Sequence, residues 1–253
     1  MIDGVRFAAV EEEREASYHL RYKVYVECMN RLCNKADHKN KMLQDEYDKV
    51  ANALIAVKDG ELSGTLRLFW GGDAAFSTSM TEAYRLDPFL KQLNRNQICI
   101  IERLMVSEKR RGSSIALKMY SEVMRFVIEH KVEVVLIDCE HHNMDSYSKL
   151  GFRPFTKTYD YPGIGTVIPM VLIVGDYQHL KTVGSPFSML IKEEILSFCR
   201  CVDELKEIIH FESKIARLSE PNKLIYFNDF HDFSKRVAPK LFQESRLRMR
   251  LSA

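Results

Sequence analysis

The chain has 253 residues, with 37 Lys and Arg against 35 Asp and Glu, so its formal net charge is +2. A content of 46% hydrophobic and 28% charged residues is that of a soluble globular protein with a real core, and excludes a disordered or fibrous chain. Near-neutrality weighs against a dedicated nucleic-acid binder, and no apolar run approaches the roughly 20 residues that a membrane helix needs.

Met1–Val10, followed by Glu11, Glu12 and Glu13, has neither the basic lead nor the apolar stretch of a secretory signal. A cytoplasmic location with six free thiols is therefore expected. Cys28 with Cys33, and Cys199 with Cys201, lack zinc-knuckle spacing, so no metal site is expected.

In chain order, residues near Val5–Val10 read as a short strand and Glu12 to about Leu32 as a helix. Tyr18, Arg21, Tyr22 and Tyr25 share one face of that helix. Asn34–Lys49 is polar and irregular. Two strands follow, Ala51–Lys58 and Leu62–Trp70, joined by the turn signal Asp59-Gly60. A short helix at Pro88–Asn94 precedes an apolar strand, Ile98–Ser107. Arg111–His130 reads as a long helix and Val132–Cys139 as a buried strand. A short helix from Tyr147 stops at Gly151, a usual C-cap. Strands at Phe152–Tyr159 and Val167–Val174 end this part. Beyond Asp176, the stretches Phe187–Val202, Asp203–Leu218 and Asp229–Arg250 read as amphipathic helices, with Pro186 and Pro221 as punctuation. The strand–helix–strand run at 98–139 implies a parallel crossover in a largely antiparallel sheet.

The stretch Ser107-Glu108-Lys109-Arg110-Arg111-Gly112-Ser113-Ser114-Ile115-Ala116 leads from a strand through a basic turn into a helix. Helix starts present unpaired N–H groups and a positive dipole end, which suits an anion, although many are only solvated caps. Glu102 and Arg103 lie within a strand that is otherwise apolar. By alternation they fall on opposite faces. Buried charges must be paired or functional. Arg103 or Arg67 paired with Asp45 or Asp48 is the structural reading. For Glu102 function is favoured, since a desolvated carboxylate has a raised pKa and can accept a proton.

Arg111-Gly112-Ser113-Ser114-Ile115-Ala116 resembles the acyl-donor motif of the GCN5-related N-acyltransferase superfamily, with Ser114 in place of the middle glycine. The second half of that pattern recurs at Val134–Cys139, Asn143 and Tyr147-Ser148-Lys149-Leu150-Gly151-Phe152. Arg21-Tyr22-Lys23-Val24-Tyr25, Asp45-Glu46-Tyr47-Asp48, Gly64-Thr65-Leu66-Arg67 and Arg103-Leu104-Met105-Val106 narrow the choice. They resemble the acyl-homoserine-lactone autoinducer synthases and the long-chain N-acyl amino acid synthases. In this chain Glu102 takes the autoinducer synthases' serine position, and Ile100 that of their usual glutamate. The resemblance covers about residues 15–175 and leaves a helical extension outside it.

It implies a mixed α/β fold, with a largely antiparallel central sheet and flanking helices. Residues 1–175 form the acyltransferase domain and 176–253 the extension. The thioester would lie where strand Ile98–Ser107 splays from Val132–Cys139. Backbone groups at Leu104 and Val106 would polarise the acyl carbonyl, with the donor held by Arg111, Gly112, Ser113, Ser114 and Ala116. Glu102 would be the base and Tyr147 the acid for the departing thiolate. Arg21, Tyr25, Arg67, Arg103 and His141 would bind the acceptor. His141 and the adjacent His142 end a core strand, where an exposed loop histidine is the plainer reading.

The expected co-substrate is an acyl thioester, on the phosphopantetheine of acyl carrier protein or on coenzyme A, with no permanently bound cofactor. The expected acceptor is a small amine, foremost an amino acid. Lys109, Arg110 and Arg111 suit an acidic carrier protein. Tyr18, Tyr22, Tyr25, Phe69, Trp70 and Phe89 are either core or an acyl-chain groove. Two alternatives remain: an acetyl-CoA-dependent N-acetyltransferase, against which Ser114 weighs, and a catalytically silent protein that binds an acyl ligand or carrier protein.

Overall fold

Apolar runs form the strands, and amphipathic stretches the helices, of the computed structural model, which describes residues 1–161, 163–191 and 193–219. In chain order these are β1 (Gly4–Phe7), α1 (Glu11–Tyr22), β2 (Ala36–Asp37), β3 (Met42–Leu43), β4 (Asn52–Lys58), β5 (Glu61–Trp70), α2 (Thr78–Ala83), α3 (Leu86–Leu90) and β6 (Ile98–Val106). There follow α4 (Ile115–Glu129), β7 (Val134–Cys139), α5 (Met144–Leu150), β8 (Arg153–Pro154), β9 (Tyr159–Tyr161), β10 (Gly165–Ile173), α6 (Tyr177–Thr182), α7 (Glu193–Phe198) and α8 (Val202–Ser219). Mixed α/β architecture with mostly antiparallel pairing is thus present. The expected helix at Asp229–Arg250 lies outside the described residues. Among the described residues, no helix is long and apolar enough to cross a membrane.

Two compact units emerge. The first comprises Met1–Phe76, Asn94–Val132 and Asp160–Thr166. Its strands run β1-β4-β5-β6, each pair antiparallel. The β4–β5 hairpin turns at Asp59 and Gly60, both at positive φ (56° and 73°), as a two-residue turn of this hand requires. Helix α4 buries Ile115, Met119, Tyr120, Val123, Met124 and Val127, one apolar face at helical spacing. It packs so close to β5 that a Cβ on Gly64 would stand 3.0 Å from Met119 Sδ and 3.1 Å from Ile115 Cγ2.

Helix α1 ends ten residues before the expected Leu32. After Tyr22 it loosens into a π-helical turn, Lys23–Cys28, and Asn30 turns left-handed at φ 51°. Helix α4 likewise begins at Ile115 rather than Arg111, so the basic motif lies in the turn before it.

The second unit comprises Ser77–Leu93, Glu133–Tyr159 and the described part of Val167–Ala253. Strand β10 pairs antiparallel with β7 on one side and β8 on the other. Helix α5 stops at Gly151, which is left-handed at φ 108°. A Cβ there would lie 2.2 Å from Leu180 Cδ2, in a backbone conformation that disfavours side chains. Gly151→Ala is expected to lower unfolding stability by about 1–3 kcal/mol, measured by urea denaturation.

Next to that cap, the His179 imidazole lies 3.1 Å from the Gly151 carbonyl through Nε2, and burial, then Arg153, push its pKa down to about 4. Folded His179 stays neutral while the unfolded chain takes up a proton near its ordinary pKa of 6.5. Stability therefore falls as pH drops from about 6.5 to about 4, by at most about 3 kcal/mol from this group. Urea midpoints across that window should flatten in His179→Gln.

Candidate active site

Five elements of the first unit converge on one charged cluster. Helix α1 supplies Arg21, the loop before β4 Asp45 and Asp48, β5 Arg67, and β6 Glu102 and Arg103. The Arg21 side chain is 0% exposed and that of Arg67 1%. Arg21 Nη1 donates to Asp48 Oδ1 at 2.6 Å. Arg67 Nη1 reaches Asp45 Oδ1 at 2.6 Å and Asp48 Oδ1 at 3.2 Å. On its other edge, Arg67 Nε donates to Glu102 Oε2 at 3.0 Å, joined by Nη2. Arg103 Nη2 donates to Asp45 Oδ2. Three guanidinium groups face three carboxylates, so the buried charge balances.

Asp45 and Asp48 are aimed by a capping box. The Asp45 side chain accepts the Tyr47 N–H at 3.0 Å, and Asp48 Oδ2 accepts the Asp45 N–H at 2.9 Å. The spacing Asp45-x-x-Asp48 was a readable signal for that turn. Burial raises the Asp48 pKa, but Arg21 and Arg67 outweigh it and hold Asp48 below the usual carboxylate range. Burial works against the charge of Arg67, yet Glu102, Asp48 and Asp45 together keep its pKa well above the ordinary arginine value. Arg21 has one close carboxylate and two neighbouring arginines, and burial leaves its pKa lowered. Its Nε and Nη2, and Nη1 of Arg103, are buried and meet no acceptor within the protein.

Strand alternation put Glu102 and Arg103 on opposite faces; the structure brings both into this cluster. Arg67 pairs with Glu102 and Thr65 with Met105, so β6 spends one residue more than β5 between these points. This is a β-bulge, with Arg103 at φ 54°, a left-handed conformation strained for any residue but glycine. The bulge swings Arg103 onto the same side as Glu102. It also interrupts the ladder beside Leu104, which is half-buried, as is Val106, while Met105 is buried.

Two cluster members were missed in the sequence. The Tyr47 ring lies under the Arg67 guanidinium at 5.8 Å and edge-on to Phe69 at 6.0 Å. Tyr161 is half-buried, and its pKa is raised by burial and then by Glu102, with Arg103 opposing. No pattern announced Tyr161, which is nearly sixty residues from its partners.

Arg111, Gly112, Ser113 and Ser114 are exposed at the start of α4, with Gly112 left-handed at φ 77° and Ala116 half-buried. The basic cluster is smaller than the sequence suggests. Arg110 pairs with Asp59 of the hairpin and Lys109 with Glu61 at 3.9 Å, while Arg111 has no salt bridge among the described residues.

Tyr25 is half-buried and carries the Arg31 guanidinium over its ring at 5.2 Å. Tyr18, Tyr22, Phe69 and Phe89 are buried. Trp70 stacks edge-on to His130 and Phe126, its Nε1 donating to the Asn96 carbonyl at 2.7 Å. These contacts are those of core packing.

In the second unit, Tyr147 is half-buried on α5, edge-on to Phe152 at 6.1 Å. His141 and His142 are exposed in a turn after β7. The six cysteines are free. Burial pushes the thiols of Cys139 and Cys199 up to about 12, which leaves them inert.

A search of curated proteins finds no match. Among solved structures, FeeM, an N-acyl amino acid synthase from uncultured soil microbes, is 14% identical with a TM-score of 0.58, over 75% of this chain and 98% of that one. MesI, a CoA-dependent acyl-homoserine lactone synthase, is 16% identical with a TM-score of 0.53, over 79% and 94%. BjaI, another such synthase, solved with SAM and isopentyl-CoA, is 18% identical with a TM-score of 0.52, over 72% and 91%. These likenesses concern the fold. The family model described as N-acyl amino acid synthase FeeM matches residues 16–176, the span that holds the whole charged cluster. On that match the chain belongs to the FeeM family of N-acyl amino acid synthases and is an N-acyltransferase.

Proposed function

We propose that the chain transfers a fatty acyl group from a thioester, on acyl carrier protein or coenzyme A, to the amine of a small amino-acid acceptor. The observation that carries this is the charged cluster, in which Arg21 and Arg103 keep buried donors without acceptors beside carboxylates that are all engaged. Unused guanidinium nitrogens recognise a carboxylate, the group that every free amino acid brings with its amine.

Glu102, held by Arg67, takes the proton from the acceptor amine. The amine nitrogen then attacks the thioester carbonyl carbon. The bulge after Arg103 turns backbone N–H groups near Leu104 to Val106 toward the carbonyl oxygen as it becomes an oxyanion. The C–S bond breaks, the amide forms and the thiolate leaves. Tyr147 is the residue that the superfamily resemblance assigns to protonate that thiolate, and His141 the one it assigns to the acceptor. The turn Arg111–Ser114 and Ala116 receive the phosphate end of the donor arm at a helix start. Exposed Arg111 then contributes the charge toward an acidic carrier. On this reading residues 1–175 are the catalytic part and 176–253 an addition to it.

The test is to incubate the purified chain with long-chain acyl carrier protein thioester, long-chain acyl-CoA or acetyl-CoA, together with a mixture of amino acids, and identify products by mass spectrometry. An N-acyl amino acid from a long-chain donor is the expected outcome. Efficient acetyl transfer with long-chain donors ignored would replace this reading with an acetyltransferase. No product from any donor would favour a binding protein.

A further inference from the structure

Helix α8 lies beyond the family match and presents distinct stripes. Leu205, Ile209, Glu212 and Ala216 are buried at i, i+4, i+7 and i+11. Beside them run Lys206, His210, Ser213 and Arg217, a polar stripe at the same spacing. That stripe faces the edge of the second unit's sheet, where Ser213 Oγ donates to the Phe155 carbonyl at 3.2 Å. Arg153 and Pro154 of β8, with the four stripe residues, line a cleft of about 210 Å³.

Arg153 decides what such a cleft can hold. Its Nη1 donates to Asp176 Oδ2 at 2.9 Å, but Nε and Nη2 are buried and meet no acceptor within the protein. Those two nitrogens form the edge of a guanidinium that an oxyanion takes bidentately. Asp176 and Asp203 are the carboxylates placed on these cations; Asp203 is exposed and bonds Lys206 at 3.0 Å. Arg153, Lys206 and Arg217 therefore outnumber them, with His210 in addition. The volume lies below the ~300 Å³ at which drug-sized ligand sites begin, which suits an ion or a very small ester.

We propose that this cleft binds a phosphate-type oxyanion, either inorganic phosphate or a small phosphomonoester, on the unused edge of Arg153 with Lys206 and Arg217 closing over it. None of these residues belongs to the charged cluster of the first unit, so the site stands whether or not the acyl-transfer reading holds.

The full chain should be titrated calorimetrically with phosphate, glycerol phosphate and acetate at constant ionic strength. One saturable site per chain is expected for phosphate or glycerol phosphate, the tighter of the two naming the source. The exposed double variant Lys206→Gln/Arg217→Gln, with an unchanged urea midpoint, should weaken binding about tenfold or more, and Arg153→Lys, which keeps charge but loses the fork, should do the same. No saturable binding of either phosphate compound, acetate binding as tightly as phosphate, or a double variant that binds like wild type would each overturn the site. Should Arg153→Lys fail to fold, the surface double variant decides alone.

Discussion

The Arg67→Ala variant should unfold at much lower urea than the wild type, with a loss of about 3–5 kcal/mol. Arg67 is the only residue of the cluster that bonds all three carboxylates, Asp45, Asp48 and Glu102. Deleting it leaves buried anions with two guanidinium groups between them, neither of which bonds Glu102 in this arrangement. A loss of that size is comparable to the whole stability of many domains, so a large fraction of unfolded chain is expected even without denaturant. Arg67→Lys tests the same idea more gently. It restores charge but reaches one side at a time, because an ammonium has no fork. It should fall between the alanine variant and the wild type. Wild-type stability in Arg67→Ala would mean that the cluster contributes no net folding energy.

Glu102→Gln should instead retain the fold and lose the reaction. The amide keeps an acceptor for Arg67 Nε but cannot take a proton from an amine, so acyl transfer should fall by about 10²–10⁴-fold, read as thiol release from the donor. Donor KM should change little, since the groups assigned to the donor lie at Arg111–Ser114. A second readout follows from Tyr161, whose pKa is raised by burial and then by the Glu102 charge. Neutralising Glu102 should move the tyrosinate titration of Tyr161 downward. Transfer within about threefold of wild type, alongside that shift, would remove Glu102 as the base while keeping its place in the cluster.

What the sequence made legible follows from how local each signal is. Asp59-Gly60 and Gly151 are short-range codes, and both turns stand where they were expected. The pairing of Arg67 with Asp45 and Asp48 was readable because buried charges need partners. The meeting of Glu102 and Arg103 was not. Strand alternation separates them, and the bulge that reunites them hinges on an arginine in a conformation that ordinarily marks glycine. Helix α1 was overextended because nothing in Tyr22–Cys28 marks the change to a wider turn, whose backbone bonds compete closely with α-helical ones. The short helices α2 and α6, of six residues each, lie below the length at which periodicity carries information.

The balance of three guanidinium groups against three carboxylates also shapes how such a site can change. A lone substitution at any of the six positions strands a charge in the interior, so variants tested one at a time will mostly report misfolding rather than altered acceptor choice. Viable routes to a new acceptor pass through simultaneous exchanges, such as an arginine and an aspartate replaced together. Libraries built to alter selectivity should therefore vary Arg21 with Asp48, or Arg103 with Asp45, as linked pairs.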